Sequence, residues 1–311
     1  MSSLEWGVLT HAAGSRDSAT ELADTVRLAV RAEELGFGSF WVAQHHLGAQ
    51  QGHASSPLVV LAAVAARTER IGLGTAVVVG ALEHPLRLVE DAATVDALSG
   101  GRLELGLGAG SDPGVAEAFG IRPQDRHARL DTVLDALAEA DVVPAAGGLR
   151  DRLWLATSSE AGVRTAAERG TGLLSGRRSG PAGPDDARSA DLLARFRAAG
   201  GRRVGLSRPL VPGACGEEVR DLLAPHIARS GRDPVAHLAA GNVYAGTEHE
   251  VATGLAADPC LPYATRLLCH VQPARLTFAE LDPILRRVAR LARGFRDGPD
   301  PREDHRRAST A

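Results

Sequence analysis

The side chains best suited to chemistry sit in a few short loops, and the clearest are the neighbours His45 and His46 in the run Ala43-Gln44-His45-His46. Imidazole has an ordinary pKa near neutrality, so a histidine at a strand end can serve as general base or hydrogen-bond donor. A purely structural histidine is the plainer alternative. Neighbours on extended backbone point to opposite sides, so one ring should face a site while the other packs outward. A metal site would join His45 with His53 or His84, but no carboxylate or cysteine set completes it, and no metal is expected. Further on, Thr157-Ser158-Ser159 at a strand-to-helix junction offers hydroxyls and free backbone N–H groups, a natural anion site. Serine before a helix is more often only a cap. Gly106–Gly110 looks like a dinucleotide loop but lacks the full spacing and the later acidic residue. A backbone closely approached by a flat ligand is the better reading of those glycines.

These loops need a scaffold, and the chain alternates strand-like and helix-like stretches throughout. Strands are expected at Leu4–Leu9, Phe37–Ala43, Ile71–Val79, Arg102–Leu107, Leu153–Ala156, Gly172–Ser175, Arg203–Val211 and Thr265–Val271. Helices are expected between them, the first capped by Ser18 and the last over Phe278–Arg293. Strands joined by helical crossovers run parallel, and eight units favour an α/β fold closed as a (β/α)8 TIM barrel. Its site would gather at the C-terminal strand ends, where His45, the glycine loop and the serine turn all fall. Residues 1–296 read as one barrel domain, Ser179–Asp186 as a surface excursion, and 297–311 as a polar, disordered tail.

Composition removes several classes. All 35 basic residues are arginine, which excludes Schiff-base aldolases, lysine-anchored pyridoxal-phosphate enzymes and phosphate-loop NTPases. A net charge of −3 gives no basic field for nucleic acid or an anionic membrane. No run approaches the roughly 18 apolar residues of a membrane span, and the start lacks signal-peptide character, so a cytoplasmic location is expected. Cys215, Cys260 and Cys269 form no disulfide framework and are expected to be free, buried thiols.

Taken together, GFGSFWVAQHHLG, SSPLVVLAAVAARTERIGLGTAVVV and LEHPLRLVEDAATVDALSGGRLELGLGAG resemble the luciferase-like monooxygenase family, which includes bacterial luciferase and many flavin-dependent oxidoreductases. The resemblance implies that His45 is catalytic, beside the reactive edge of the isoalloxazine ring. It makes Ala76-Val77 a cis-linked dipeptide under the flavin, and places the cofactor phosphate at Ser158, Ser159 and the Gly162 region. Bacterial luciferase has a phosphate-binding arginine where this chain has Ala109, and a reactive cysteine where it has Gly108. Arg126 is expected to restore the charge, with Arg177 and Arg178 as alternatives. Gln44 replaces an acidic residue often found before the histidine pair. Val142–Arg152 is short for the family and the seventh unit looks trimmed, so reduced substrate lids are expected and light emission is not implied. The implied activity is a monooxygenase that takes reduced FMN from a separate flavin reductase, with dioxygen and a small organic substrate. The alternatives are a deazaflavin-dependent hydride-transfer enzyme, kept open by the arginines at 177, 178, 202 and 203, and a flavin binder without turnover. Related barrels pair through helices beside the second and third strands, which points to a homodimer.

Overall fold

The structure, a computed structural model, describes residues 4–14, 17–48 and 52–297, so nearly all of the expected tail lies outside it. Eight parallel strands close a barrel: β1 (Glu5–Thr10), β2 (Ser39–Val42), β3 (Gly72–Thr75), β5 (Leu103–Gly108), β6 (Leu153–Ala156), β7 (Gly172–Gly176), β8 (Val204–Gly213) and β10 (Arg266–His270). Pairing of β10 with both β1 and β8 completes the ring. Among the described residues no helix is long and apolar enough to cross a membrane.

Helices cover the outside, and their ends follow local chemistry. The first, α1 (Ser18–Leu35), is capped by Asp17 rather than the expected Ser18. The Asp17 carboxylate accepts from the Thr20 N–H at 2.9 Å and meets the positive end of the helix dipole, while the Ser18 hydroxyl bonds His53. Next come α2 (Pro57–Ala65), α3 (Pro85–Leu98) and α4 (Pro113–Ala118), each opened by a proline in its first turn. The stretch expected as one strand over Ile71–Val79 is divided. After β3 the Ala76–Val77 peptide is cis, and the chain moves across to pair its last two residues, β4 (Val78–Val79), with β5 alone.

Inside the barrel, alternate residues of each strand project inward. Trp41 of β2 and Trp154 of β6 meet edge to face at 5.8 Å and fill the centre. Glycines opposite make this fit: a Cβ on Gly74 would lie 2.1 Å from the Trp41 ring, and one on Gly172 2.3 Å from Trp154. Below the indoles, Arg266 pairs with Glu5 at 2.6 Å and Glu104 at 2.5 Å, and the Trp154 N–H donates to Glu104. Above them the inward layer turns small, with Ala43, Ala76 and Ala156 beside Leu9, Leu174 and Leu268.

One strand escaped the periodicity reading. In the seventh unit, after α8 (Gly216–Arg229) and α9 (Pro234–Ala239), β9 (Tyr244–Thr247) pairs with the outer half of β8. Behind it lies an ion pair with no exposure at all, Arg208 to Asp258 at 2.5 Å, and the Tyr244 hydroxyl donates to the same carboxylate at 2.9 Å. Of the three free cysteines, Cys260 and Cys269 are buried as expected, whereas Cys215 is exposed.

The tight fit at the centre gives a direct prediction. Gly74→Ala should lower stability by about 1–3 kcal/mol through overpacking against Trp41, read as a lower urea midpoint at unchanged slope. An unchanged midpoint would mean that Trp41 has room to move.

Candidate active site

At the C-terminal mouth, three histidines from neighbouring strand ends converge. His11 follows β1, His45 follows β2, and His270 ends β10. His11 Nδ1 lies 2.9 Å from His45 Nε2, with the two rings stacked 24° apart, and His270 meets His11 edge to face at 5.7 Å. The backbone N–H of Gln272 donates to His270 Nδ1 at 3.1 Å, so a neutral His270 carries its proton on Nε2. Burial, with the His46 charge beside it, pushes His45 down to about 4. Burial and the Arg208 charge bring His270 to about 3. Burial, then His270 and His45, hold His11 well below its ordinary range. All three are therefore neutral near pH 7, and in the stacked pair one imidazole N–H donates to the unprotonated nitrogen of the other.

His45 faces a cleft of about 310 Å³ floored by Ala43, Ala76 and Val77 and walled by Ala109 and Gly110. His46 lines the same cleft, contrary to the expectation of opposite faces. The reason is that β2 ends at Val42, so strand alternation no longer governs these residues. Instead, the His46 ring packs edge-on against Phe119 at 4.8 Å. Gln44 anchors this end of the site. Its amide donates to Ser55 O and Glu83 Oε1, both at 3.1 Å, while its oxygen accepts from the Val79 N–H. A carboxylate at 44 would lose both donors and face Glu83, which accounts for an amide here. Gly108 has no room for a side chain, because a Cβ would lie 2.9 Å from Val77 Cγ2.

Across the cleft, Arg126 at the start of α5 (Arg126–Glu139) donates to Gly110 O and, at 2.8 Å, to Pro123 O. Both partners are carbonyls, so its charge stays with the cleft. The serine turn lies outside that lining. There Ser159 caps α6 (Glu160–Glu168) by accepting from the Gly162 N–H at 3.1 Å. Gly162 leaves space for Thr157, whose Oγ1 would be 2.1 Å from a Cβ. Arg178 reaches this turn, 3.5 Å from the Ser158 hydroxyl. Arg177 does not, being tied to Asp186 by Nη2 at 2.6 Å. Arg202 and Arg203 precede β8, at the opposite end of the barrel, where Arg203 donates to Leu153 O. They have no part in the mouth.

His53 and His84 have other partners: His53 bonds Ser18, and His84 accepts from the Arg87 N–H to cap α3. His11 and His270 were missed from sequence. Their signal was position, since THAAG and CHVQP each place a histidine at the C-terminal end of a barrel strand.

A closed parallel (β/α)8 barrel with its polar cluster at the C-terminal mouth defines the class, a luciferase-like TIM barrel. More particularly, residues 4–259 match the luciferase-like monooxygenase family, and the chain belongs to it. An uncharacterised protein of Sinorhizobium fredii is 32% identical over 253 residues, 73% of each chain. A shorter match is 42% identical over 90 residues, 28% of this chain and 27% of the relative, an F420-dependent glucose-6-phosphate dehydrogenase of Amycolatopsis mediterranei. Among solved structures, a monooxygenase from Streptomyces bottropensis superposes with a TM-score of 0.77 at 24% identity, covering 92% of this chain and 98% of that one. The oxygenating constituent of 3,6-diketocamphane monooxygenase from Pseudomonas putida, in complex with FMN, gives 0.73 at 17% identity, covering 93% and 98%.

The neutral histidines carry a pH signature. Their folded pKa values lie below the ordinary 6.5, so their contribution is intact above about pH 6.5 and is lost as pH falls toward the values near 4 and 3. Each such group weakens the fold by about 1.4 kcal/mol per pH unit in that window. Urea midpoints measured from pH 7.5 down to about 5 should therefore fall more steeply for the parent than for His270→Gln. Equal slopes would mean that His270 protonates freely in the folded chain.

Proposed function

We propose that the chain is a flavin-dependent monooxygenase that binds reduced FMN and uses dioxygen to oxidise a small organic substrate. The observation carrying this is the cleft itself, a floor of small residues, Ala43, Ala76 and Val77, with His45 at one edge and Arg126 at the other. A flat ring fits a surface from which side chains have been withdrawn, and at Gly108 even a Cβ would strike Val77. Ser158, Ser159 and Gly162, joined by Arg178, offer hydroxyl, N–H and guanidinium donors to the phosphate, and Arg126 adds positive charge. Gly108 makes room for Val77 of the floor, and Ala109 lines the cleft without a charged contact. Bound reduced FMN supplies the electron pair that dioxygen takes up. His45, held by its hydrogen bond to His11, presents a neutral imidazole at the ring edge, while Gln44 keeps the loop carrying His45 in place.

The same reading includes delivery of reduced FMN by a separate flavin reductase, a cytoplasmic location, residues 1–296 as one domain, and a homodimer. Val59 on α2 and Leu98 on α3, 68% and 64% exposed beside the second and third strands, suit that pairing. A deazaflavin-dependent hydride transfer is the second reading, supported by the 42% match to an F420-dependent relative.

Anaerobic titration separates the two. Reduced FMN should bind more tightly than reduced deazaflavin and consume oxygen when air is admitted; the reverse preference without oxygen uptake would favour hydride transfer. His45→Gln should retain FMN binding and lose most turnover. Arg178→Ala should weaken FMN about tenfold and leave riboflavin, which lacks the phosphate, unchanged. An equal effect on both ligands would remove Arg178 from the phosphate site.

A further inference from the structure

His11 is shared between the His45 cleft and a second cavity of about 480 Å³ over the ends of β7, β8 and β10. Three arginines line this second lobe, Arg177, Arg232 and Arg275, together with Ser179, Ser207 and His270. Among the described residues that line it, none is a carboxylate. The chain has 38 acidic and 35 basic residues, so a lining of one sign is not what average composition would place there.

Arg177 is the fixed member. Its side chain is only 6% exposed, is held by Asp186, and donates through Nη1 to Gly241 O at 2.8 Å. The guanidinium lies 4.1 Å from the centre of the Tyr244 ring, and Tyr244 is itself held by the buried Asp258–Arg208 pair. A guanidinium has five N–H groups, so these contacts leave one on each terminal nitrogen to offer the lobe. Planar donors held in one orientation match the two oxygens of a carboxylate, sulfonate or phosphate.

We propose that this lobe binds the oxyanion group of the substrate, so that the protein acts on an acidic organic molecule. The group sits on Arg177, Arg232 and Arg275, and the remainder extends past His11 toward the His45 cleft. That this ligand is the substrate rests on the flavin-oxidoreductase reading. The proposed cofactor-phosphate turn at Ser158 is not part of the lobe's lining, so the two anions have separate places.

The test is calorimetric titration of the full-length chain, free and saturated with FMN. The probes are octanoate, octanesulfonate, octyl phosphate and benzoate, against the neutral octanamide and benzamide. At least one anion should bind about tenfold or more tightly than its neutral partner, in both forms of the protein. The tightest anion then identifies the oxyanion class. Arg232→Ala and Arg275→Gln should each abolish that preference and leave FMN affinity unchanged. If no anion is preferred, or if FMN displaces the anion competitively, the proposal fails; displacement would assign the lobe to the cofactor's phosphate. Anion binding by a chain that takes up no FMN would keep the oxyanion site and sink the flavin reading alone.

Discussion

Space at the centre of the barrel governs everything above it. Two indoles, Trp41 and Trp154, occupy the axis, and each is matched by a glycine on the adjoining strand, Gly74 and Gly172, whose missing side chains the rings fill. Arg266 beneath is paired with Glu5 and Glu104, which compensates the cost of burying charge under aromatic rings. With so much volume low in the barrel, the next inward layer can be made of alanines and still be close-packed. That layer is the cleft floor. The height of the tryptophans therefore sets the depth of the cleft, and the loops only frame it.

Electrostatics at the mouth follow from burial. His11 lies in contact with both His45 and His270, and among the described residues no carboxylate is bonded to any of the three rings. Loss of water penalises the charged form of all three, reinforced at His11 by His270 and His45, at His45 by His46 and at His270 by Arg208, so the cluster is a neutral hydrogen-bonding unit. Such a unit offers imidazole N–H and unprotonated ring nitrogen at the mouth without carrying charge. Among the described residues no group of three or more His, Cys, Asp or Glu side chains is placed to hold a metal ion.

The seventh unit contributes what the first six do not. Read from sequence as trimmed, it carries β9, and β9 supplies Tyr244. The ring of Tyr244 supports Arg177, its hydroxyl leans on Asp258, and Asp258 neutralises Arg208 behind the barrel wall. Removing one member of a fully buried pair leaves the other uncompensated, so this chain of contacts acts as one piece. It fixes a guanidinium at the mouth in the lobe beyond His11, away from the floor of small residues beside His45.

The sequence by itself determined the barrel, the direction of its strands and the end that bears the site. Those follow from local rules: hydrophobic period, the break at each helix end, and the right-handed crossover that makes sequential strands parallel. It also placed His45, Gly108 and the Ser158-Ser159 turn at the mouth, because each directly follows or ends a strand. Only the tertiary structure decided which of these share a cavity. Pairing of β1 with β2 brings residue 11 beside residue 45, and closing the ring brings it beside residue 270, a contact between the first and last strands that no local pattern encodes. It also sorted the arginines, sending 202 and 203 to the far end, tying 177 to Asp186 and leaving 178 and 126 at the mouth. Guanidinium groups are interchangeable in composition, and their roles are set by which carboxylate, carbonyl or ring the closed barrel puts within reach.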